Sequence, residues 1–252
     1  MKIDLTNQIV LVTGGSRGIG AAICRGLGGA GATVAVHYTR SKEAAEAVAT
    51  EAGQGSRAFQ ADLSDPNGAV GLFEAAMQHY GRIDVLINNA GIAIAQQESD
   101  DAETFRHAWQ QTLQVNLVAS AHLCHLLVPH FQQKGGGRFI HIASRAAFRG
   151  DTPDYLAYAA SKGGMVSLSR SLARGYGRDG IKSFVIAPGF VETDMAQQFI
   201  EEYGRSYVLD DLALNELTQP ADVAASVLFM ASGYMDHATG ATLDINAGSY
   251  VH

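Results

Sequence analysis

Seven short apolar runs punctuate the chain, at residues 9–13, 33–37, 57–60, 83–88, 138–143, 181–187 and 242–245. Between them lie longer stretches in which apolar residues recur at every third or fourth position: 21–29, 42–51, 66–80, 102–134, 154–178 and 221–232. The first pattern predicts strands and the second amphipathic helices. Asn116 falls within 102–134, and a break is expected near it. The strand runs are almost continuous in Val, Ile and Leu, as in Ile9-Val10-Leu11-Val12, so both sheet faces should be covered. Strands alternating with helices predict βαβ units. The expected fold is α/β: a doubly wound parallel sheet of about seven strands with helices on both faces. No linker-like composition or repeat divides residues 1–252, so one domain is expected. Residues 190–217 are the least regular, rich in polar and aromatic side chains, and suit a lid over a substrate.

Composition narrows the function. The chain is 47% hydrophobic and 17% charged, with 18 basic and 25 acidic side chains and a net charge of -7. A moderately acidic protein gains nothing electrostatically from nucleic acid or an anionic membrane. The amino terminus lacks the apolar stretch of a signal peptide, and no apolar run reaches the ~18 residues of a membrane span. A soluble cytoplasmic protein is expected. Cys24 and Cys124 both sit in apolar helical segments, with neither a disulfide framework nor zinc spacing, and are expected to be buried thiols. The nine histidines show no metal spacing; His122 and His125, three apart, lack a carboxylate partner within a turn, so no metal is expected. His141 alternates within a strand as a core or interface residue, and Phe105 with Trp109 marks a helix packing face.

The segment Thr13-Gly14-Gly15-Ser16-Arg17-Gly18-Ile19-Gly20 closes the first strand and opens the first helix. That context is the one a dinucleotide-binding turn requires, although the spacing is Gly-x3-Gly-x-Gly. Glycines allow a sharp turn and close approach to a pyrophosphate, and the helix start offers free N–H groups and a positive dipole end. The fold is therefore expected to be Rossmann-type. The second strand ends in His37-Tyr38-Thr39-Arg40-Ser41, without the acid that would hold a ribose 2′-hydroxyl. Arg17, Arg40 and the Ser41 hydroxyl suit a 2′-phosphate instead, which predicts NADPH/NADP+ over NADH.

Tyr158 and Lys162 stand four apart in a helical stretch, hence on one face. A neighbouring ammonium favours a phenolate, so a lowered Tyr158 pKa and a general acid/base role are expected. Tyr155 is seven residues from Lys162 and is expected to line the substrate pocket, while Ser161 can add a hydrogen bond within the helix.

Taken in order, these segments resemble the short-chain dehydrogenases/reductases over nearly the whole chain. In that resemblance residues 13–20 are the cofactor turn, with Tyr38 beside Arg40 and Ser41 at the end of the second strand. Asp62, followed by Leu63, matches the carboxylate that contacts adenine, and Asn88-Asn89-Ala90-Gly91 matches the cofactor-lining segment. Pro188-Gly189-Phe190-Val191-Glu192-Thr193 matches the segment that holds the nicotinamide. Asn116, Ser144, Tyr158 and Lys162 match the catalytic set. The resemblance implies that Ser144 donates a hydrogen bond to a substrate carbonyl and that Tyr158 protonates the forming alkoxide. Lys162 holds the ribose hydroxyls, and Asn116 holds a water that links Lys162 to solvent. It further implies pro-S hydride transfer and a homotetramer, with helix faces around 102–134 and 154–178 between subunits.

Within the family the pattern is nearest the 3-oxoacyl-carrier-protein reductases and related carbonyl reductases, a likeness that includes Thr239–Gly248. The basic positions with which those reductases meet an acidic carrier are thin here. Residues 132–137 offer only Lys134, and 178–180 only Arg178. Tyr203, Tyr207, Asp210, Asp211 and Glu216 stand where a basic, proline-bearing stretch is usual. The expected reaction is therefore reduction of a small or aryl ketone, or oxidation of a secondary alcohol, with carrier-linked 3-oxoacyl reduction as the alternative. Phe148, Tyr155, Phe190, Met195 and Phe199 are the expected apolar pocket residues. A nucleotide-sensing regulator on the same fold is a third possibility, against which the complete catalytic set argues.

Overall fold

The computed structural model describes residues 2–251, apart from the side chains of Met195, Gln198, Glu202, Tyr203 and Tyr207. The expectation placed on Met195, and those on Tyr203 and Tyr207, lie outside the described residues. Seven strands form one parallel sheet: β1 (Ile9–Val12), β2 (Thr33–Tyr38), β3 (Arg57–Gln60), β4 (Val85–Asn88), β5 (Gly137–Ile142), β6 (Ile181–Pro188) and β7 (Thr242–Ile245). Their order is β3-β2-β1-β4-β5-β6-β7. The chain winds outward one way from β1 to β3, then returns beside β1 as β4. The crevice beyond the strand ends at this reversal is where doubly wound sheets bind ligands.

The two-residue period of the strands divides the core. Val10 and Val12 face one side with Ile23 and Leu27 of α1 (Gly18–Gly29), Val48 of α2 (Lys42–Ala52) and Val227 and Met230 near the carboxyl terminus. Leu11 and Leu86 face the other side with Leu72 of α3 (Gly68–Tyr80). Both faces are thus buried, as the unbroken apolar runs required.

The stretch 102–134 is α4 (Ala102–Leu113), a π-helical turn over Gln114–Val118, and α5 (Ala119–Lys134). The expected break at Asn116 is this widened turn, and π turns of this kind recur at functional sites. A short α6 (Ala146–Arg149) follows β5, then α7 (Leu156–Tyr176). The lid segment is more ordered than its composition suggested. It holds α8 (Asp194–Tyr203) and α9 (Arg205–Leu209) and precedes α10 (Pro220–Ala231). Val208, Leu212 and Leu217 form a small separate core there with Phe190 and Phe199. Among the described residues no helix is long and apolar enough to cross a membrane.

Candidate active site

A cleft of about 890 Å³ opens beyond the carboxyl ends of the strands. The cofactor residues read from the sequence line it, from the glycine turn through Tyr38, Arg40, Ser41, Asp62 and Leu63 to residues 89–91 and to Pro188, Gly189, Val191 and Thr193. Ser144, Tyr158 and Lys162 line it too. Asn116 stands behind the wall, fully buried.

The glycine turn suits a dinucleotide. Gly14 and Gly18 have φ of 64° and 52°, the left-handed region that glycine tolerates at least cost. A Cβ on Gly20 would lie 2.1 Å from the Gly14 carbonyl oxygen, so any side chain there would collide with backbone. Arg17 caps α1 in extended backbone with no side-chain cap and no acid in the first turn, so the first N–H groups stay available to phosphate. The turn is tied to the strands beside it. Thr13 Oγ1 accepts from the Asn89 and Ala90 N–H groups at 2.9 and 3.0 Å. The Asn89 amide donates to the Thr13 and Gly14 carbonyls at 2.9 and 3.0 Å.

Sequence reasoning missed His37. Its Nδ1 accepts from the Gly14 N–H at 2.9 Å, so Nε2 carries the proton and donates to the Ala61 carbonyl at 3.2 Å. Burial pushes its pKa down to about 4, which keeps it neutral in this role. Nothing in the local pattern marked it, because the pairing of β2 beside β1 creates the contact. Asp62 accepts from the Ser64 N–H and hydroxyl at 2.9 and 2.7 Å, and these bonds hold its carboxyl below the usual range, with help from Arg40.

At the reacting end, Ser144 lies just past β5, and its Oγ accepts from the Ala146 N–H at 3.1 Å while hydrogen-bonded to Tyr158. Tyr158 sits in the first turn of α7 with Lys162 one turn on. The Lys162 ammonium is buried, donates to the Ile142 carbonyl at 2.9 Å, and lies 5.6 Å from the centre of the Tyr158 ring. Burial alone pushes Lys162 down to about 8. The expected lowering of Tyr158 is not found: burial pushes its phenol up to about 12, the Ser144 bond opposes this, and the Asp151 charge adds to it. The ammonium is directed to a backbone carbonyl, and the cost of a buried phenolate outweighs its attraction.

Asn116 holds the site by its side chain. Its Oδ1 accepts from the Ile92 N–H at 2.8 Å, and its Nδ2 donates to the Ile92 carbonyl and to Ser161 Oγ, both at 2.9 Å. This joins the loop after β4 to α7 through the π turn.

Of the expected pocket residues, Tyr155, Phe190 and Phe199 line the cleft. Phe148 does not; it packs against the core of Ala143, Met165 and Val185. Arg145 and Arg149 line the cleft instead and were overlooked, although their four-residue spacing directly after Ser144 was visible. The buried thiols Cys24 and Cys124 are pushed up to about 12 by burial and are unreactive.

A doubly wound sheet with a dinucleotide turn at its reversal point and a Ser-Tyr-Lys cluster on the same cleft defines a nicotinamide-dependent oxidoreductase. Comparison with known proteins agrees. The short chain dehydrogenase family profile matches residues 8–204, and the chain belongs to that family. It is 33% identical over 250 residues to a 3-oxoacyl-[acyl-carrier-protein] reductase of Haemophilus influenzae, covering 98% of this chain and 100% of that one. It is 34% identical over 253 residues to 3beta-hydroxysteroid dehydrogenase 1 of Eggerthella lenta, covering 98% and 95%. A crystal structure from Beutenbergia cavernae, provisionally described as an NAD(P)-dependent gluconate 5-dehydrogenase with bound NADP at low occupancy, superposes with a TM-score of 0.90. That pair is 30% identical and covers 99% of each chain.

Proposed function

We propose that this protein uses NADP(H) to reduce a ketone to a secondary alcohol and to run the reverse oxidation, with Asn116, Ser144, Tyr158 and Lys162 as the working set. The observation that carries the reading is the placement of Ser144, Tyr158 and Lys162 on the wall of the cleft that the glycine turn floors. A bound nicotinamide dinucleotide supplies the hydride in reduction. Ser144 donates a hydrogen bond to the carbonyl oxygen and so favours charge developing there. Tyr158, protonated well beyond neutral pH, gives its phenolic proton to that oxygen as C=O becomes CH–OH. Lys162 supplies positive charge next to the phenol and cofactor, and Asn116 fixes the helix that carries both. Oxidation needs the phenolate, so it should accelerate as pH rises above neutral.

The preference for NADP(H) rests on Arg17, Arg40 and Ser41 at the cleft edge and on the absence of an acid from the end of β2. The NADP held by the Beutenbergia cavernae relative supports it. Arg40→Ala should weaken NADPH by about tenfold and leave NADH nearly unaffected, measured by titration of the protein with each cofactor. An NADH preference in the unaltered protein would overturn the cofactor reading.

Carrier-linked 3-oxoacyl reduction is the second reading, favoured by the likeness to the Haemophilus influenzae enzyme. Against it, Lys134 is already paired with Asp84 and the Ile83 carbonyl. The hydroxysteroid dehydrogenase of Eggerthella lenta supports a free substrate. NADPH consumption on a ketone panel beside an acetoacetyl thioester, with Tyr158→Phe as control, tests the proposal. Turnover of simple ketones that the variant abolishes supports it, and strong thioester turnover alone transfers the protein to the second reading. A homotetramer with α4, α5 and α7 between subunits completes the proposal. Phe105 and Leu156 are exposed on α4 and α7, and Val118 on the π turn between α4 and α5. A monomer mass by light scattering would refute it.

A further inference from the structure

Arg145 follows Ser144 directly, and Arg149 ends the short helix α6 one turn later. Both line the cleft that contains Ser144 and Tyr158. Arg145 is 8% exposed, with its guanidinium 4.7 Å from the centre of the Phe190 ring. Arg149 is half open to solvent. Both guanidiniums converge on one oxygen, Oδ2 of Asp211 in the lid, at 2.6 and 2.9 Å. Burial and the like charge of Arg149 both push Arg145 down, the signature of two cations held close together.

Strapping a lid to a wall needs one ion pair. Here a buried arginine beside the serine is joined by a second; both bond one lid carboxylate, Asp211, while the charge of Asp151 faces them without a hydrogen bond to either. A guanidinium carries more donors than this contact uses, and its planar fork suits a carboxylate. Asp211 itself shows which ligand the pair accepts: planar, singly negative and carbon-borne.

We infer that the substrate carries a carboxylate, that Arg145 and Arg149 hold it, and that Asp211 keeps its place until the substrate arrives. The substrate class is then an oxo acid, or the matching hydroxy acid in the reverse direction. Anchoring the acid end orients the carbonyl toward Ser144 and Tyr158. Asp151 on the same cleft wall disfavours a second negative charge there, so a monocarboxylate is expected. The inference deepens the proposed carbonyl reduction and rests on it.

The test compares a graded series of straight-chain oxo acids with their methyl esters, using NADPH and the full chain. The best acid should exceed its ester in kcat/KM on the order of 100-fold, the size of a lost charge-assisted pair. In Arg149→Gln acid and ester should react alike. Asp211→Asn should lower KM for the acid several-fold, because the internal competitor is weakened; a strap with no binding role would leave KM unchanged or raise it. An ester reduced as well as its acid by the unaltered protein, or a preference that survives in Arg149→Gln, overturns the inference while leaving ketone reduction intact. If no oxo compound turns over, the proposed reaction fails, and thermal melting of the NADP+-loaded protein with the hydroxy acids decides separately. A rise in Tm that needs the free carboxylate and vanishes in Arg149→Gln supports the carboxylate site; no rise in the unaltered protein overturns it.

Discussion

The glycine turn and the lid face each other across one cleft and are held in opposite ways. The turn is fixed by hydrogen bonds between its backbone and the strand ends beneath it, through Thr13, His37 and Asn89. It has no freedom at Gly20, where even a methyl group would meet backbone. The lid hangs on its own small core and on the side-chain ion pairs from Asp211 to Arg145 and Arg149. In the proposed function the shared part of the ligand, the dinucleotide, meets the rigid side. The part that differs between relatives, the substrate, meets in the same proposal the side held by the Asp211 ion pairs. Such a division lets one scaffold keep its cofactor while its substrate changes.

Breaking the seam between the two regions should have the largest effect. Tyr158→Phe should lower kcat by about 10³-fold while NADPH binding holds, measured by steady-state kinetics beside cofactor titration. Loss of cofactor affinity in that variant would mean that the phenol shapes the cofactor side as well. On the rigid side, Gly20→Ala should weaken NADPH by about 100-fold and destabilise the protein by roughly 1–3 kcal/mol, since backbone must shift to admit the methyl. Calorimetric titration and urea unfolding would show this, and normal affinity would break the contrast with the lid.

Lys162 sharpens the comparison through pH. Its folded pKa of about 8 lies below the ordinary 10.5, so between those values the unfolded chain binds more protons. Stability should therefore rise with pH across that window. Lys162→Met should remove the rise and add up to about 3 kcal/mol at pH 7, read by urea unfolding. Ketone reduction in the unaltered protein should fall above about pH 8, as the ammonium is lost while Tyr158 is still protonated. A reduction rate flat to pH 10 would mean that the ammonium is not needed.

The smallest effect concerns the buried histidines. His37 and His141 are pushed down to about 4 and about 3 by burial, against 6.5 when free. Their contribution to stability is complete above pH 6.5 and is lost as pH falls through the folded values. At pH 5 each should have lost about 2 kcal/mol, and His141→Leu should flatten the acid limb of a stability–pH curve.

Much of this molecule was legible in its residues. The strand runs, the glycine turn, the break at Asn116 and the Tyr158–Lys162 pair each follow from neighbours within a few positions. Four features were not: the role of His37, the packing of Phe148, the helices of the lid and the direction of the Tyr158 shift. His37 touches Gly14, 23 positions earlier, only because β2 pairs beside β1. Phe148 turned toward the core because α6 exists, and four residues are too few for a periodic signal.

The sequence by itself therefore determined the order of strands and helices, the dinucleotide turn and the face shared by phenol and ammonium. These depend on backbone geometry with periods of two and about 3.6 residues, which local composition records. Tertiary structure alone decided which groups lose water and which distant charges meet. It placed Asp211 on Arg145 and Arg149, and it raised Tyr158 where spacing pointed to a lowered value. Desolvation and long-range pairing depend on everything that packs around a group, and no local stretch of residues contains that information.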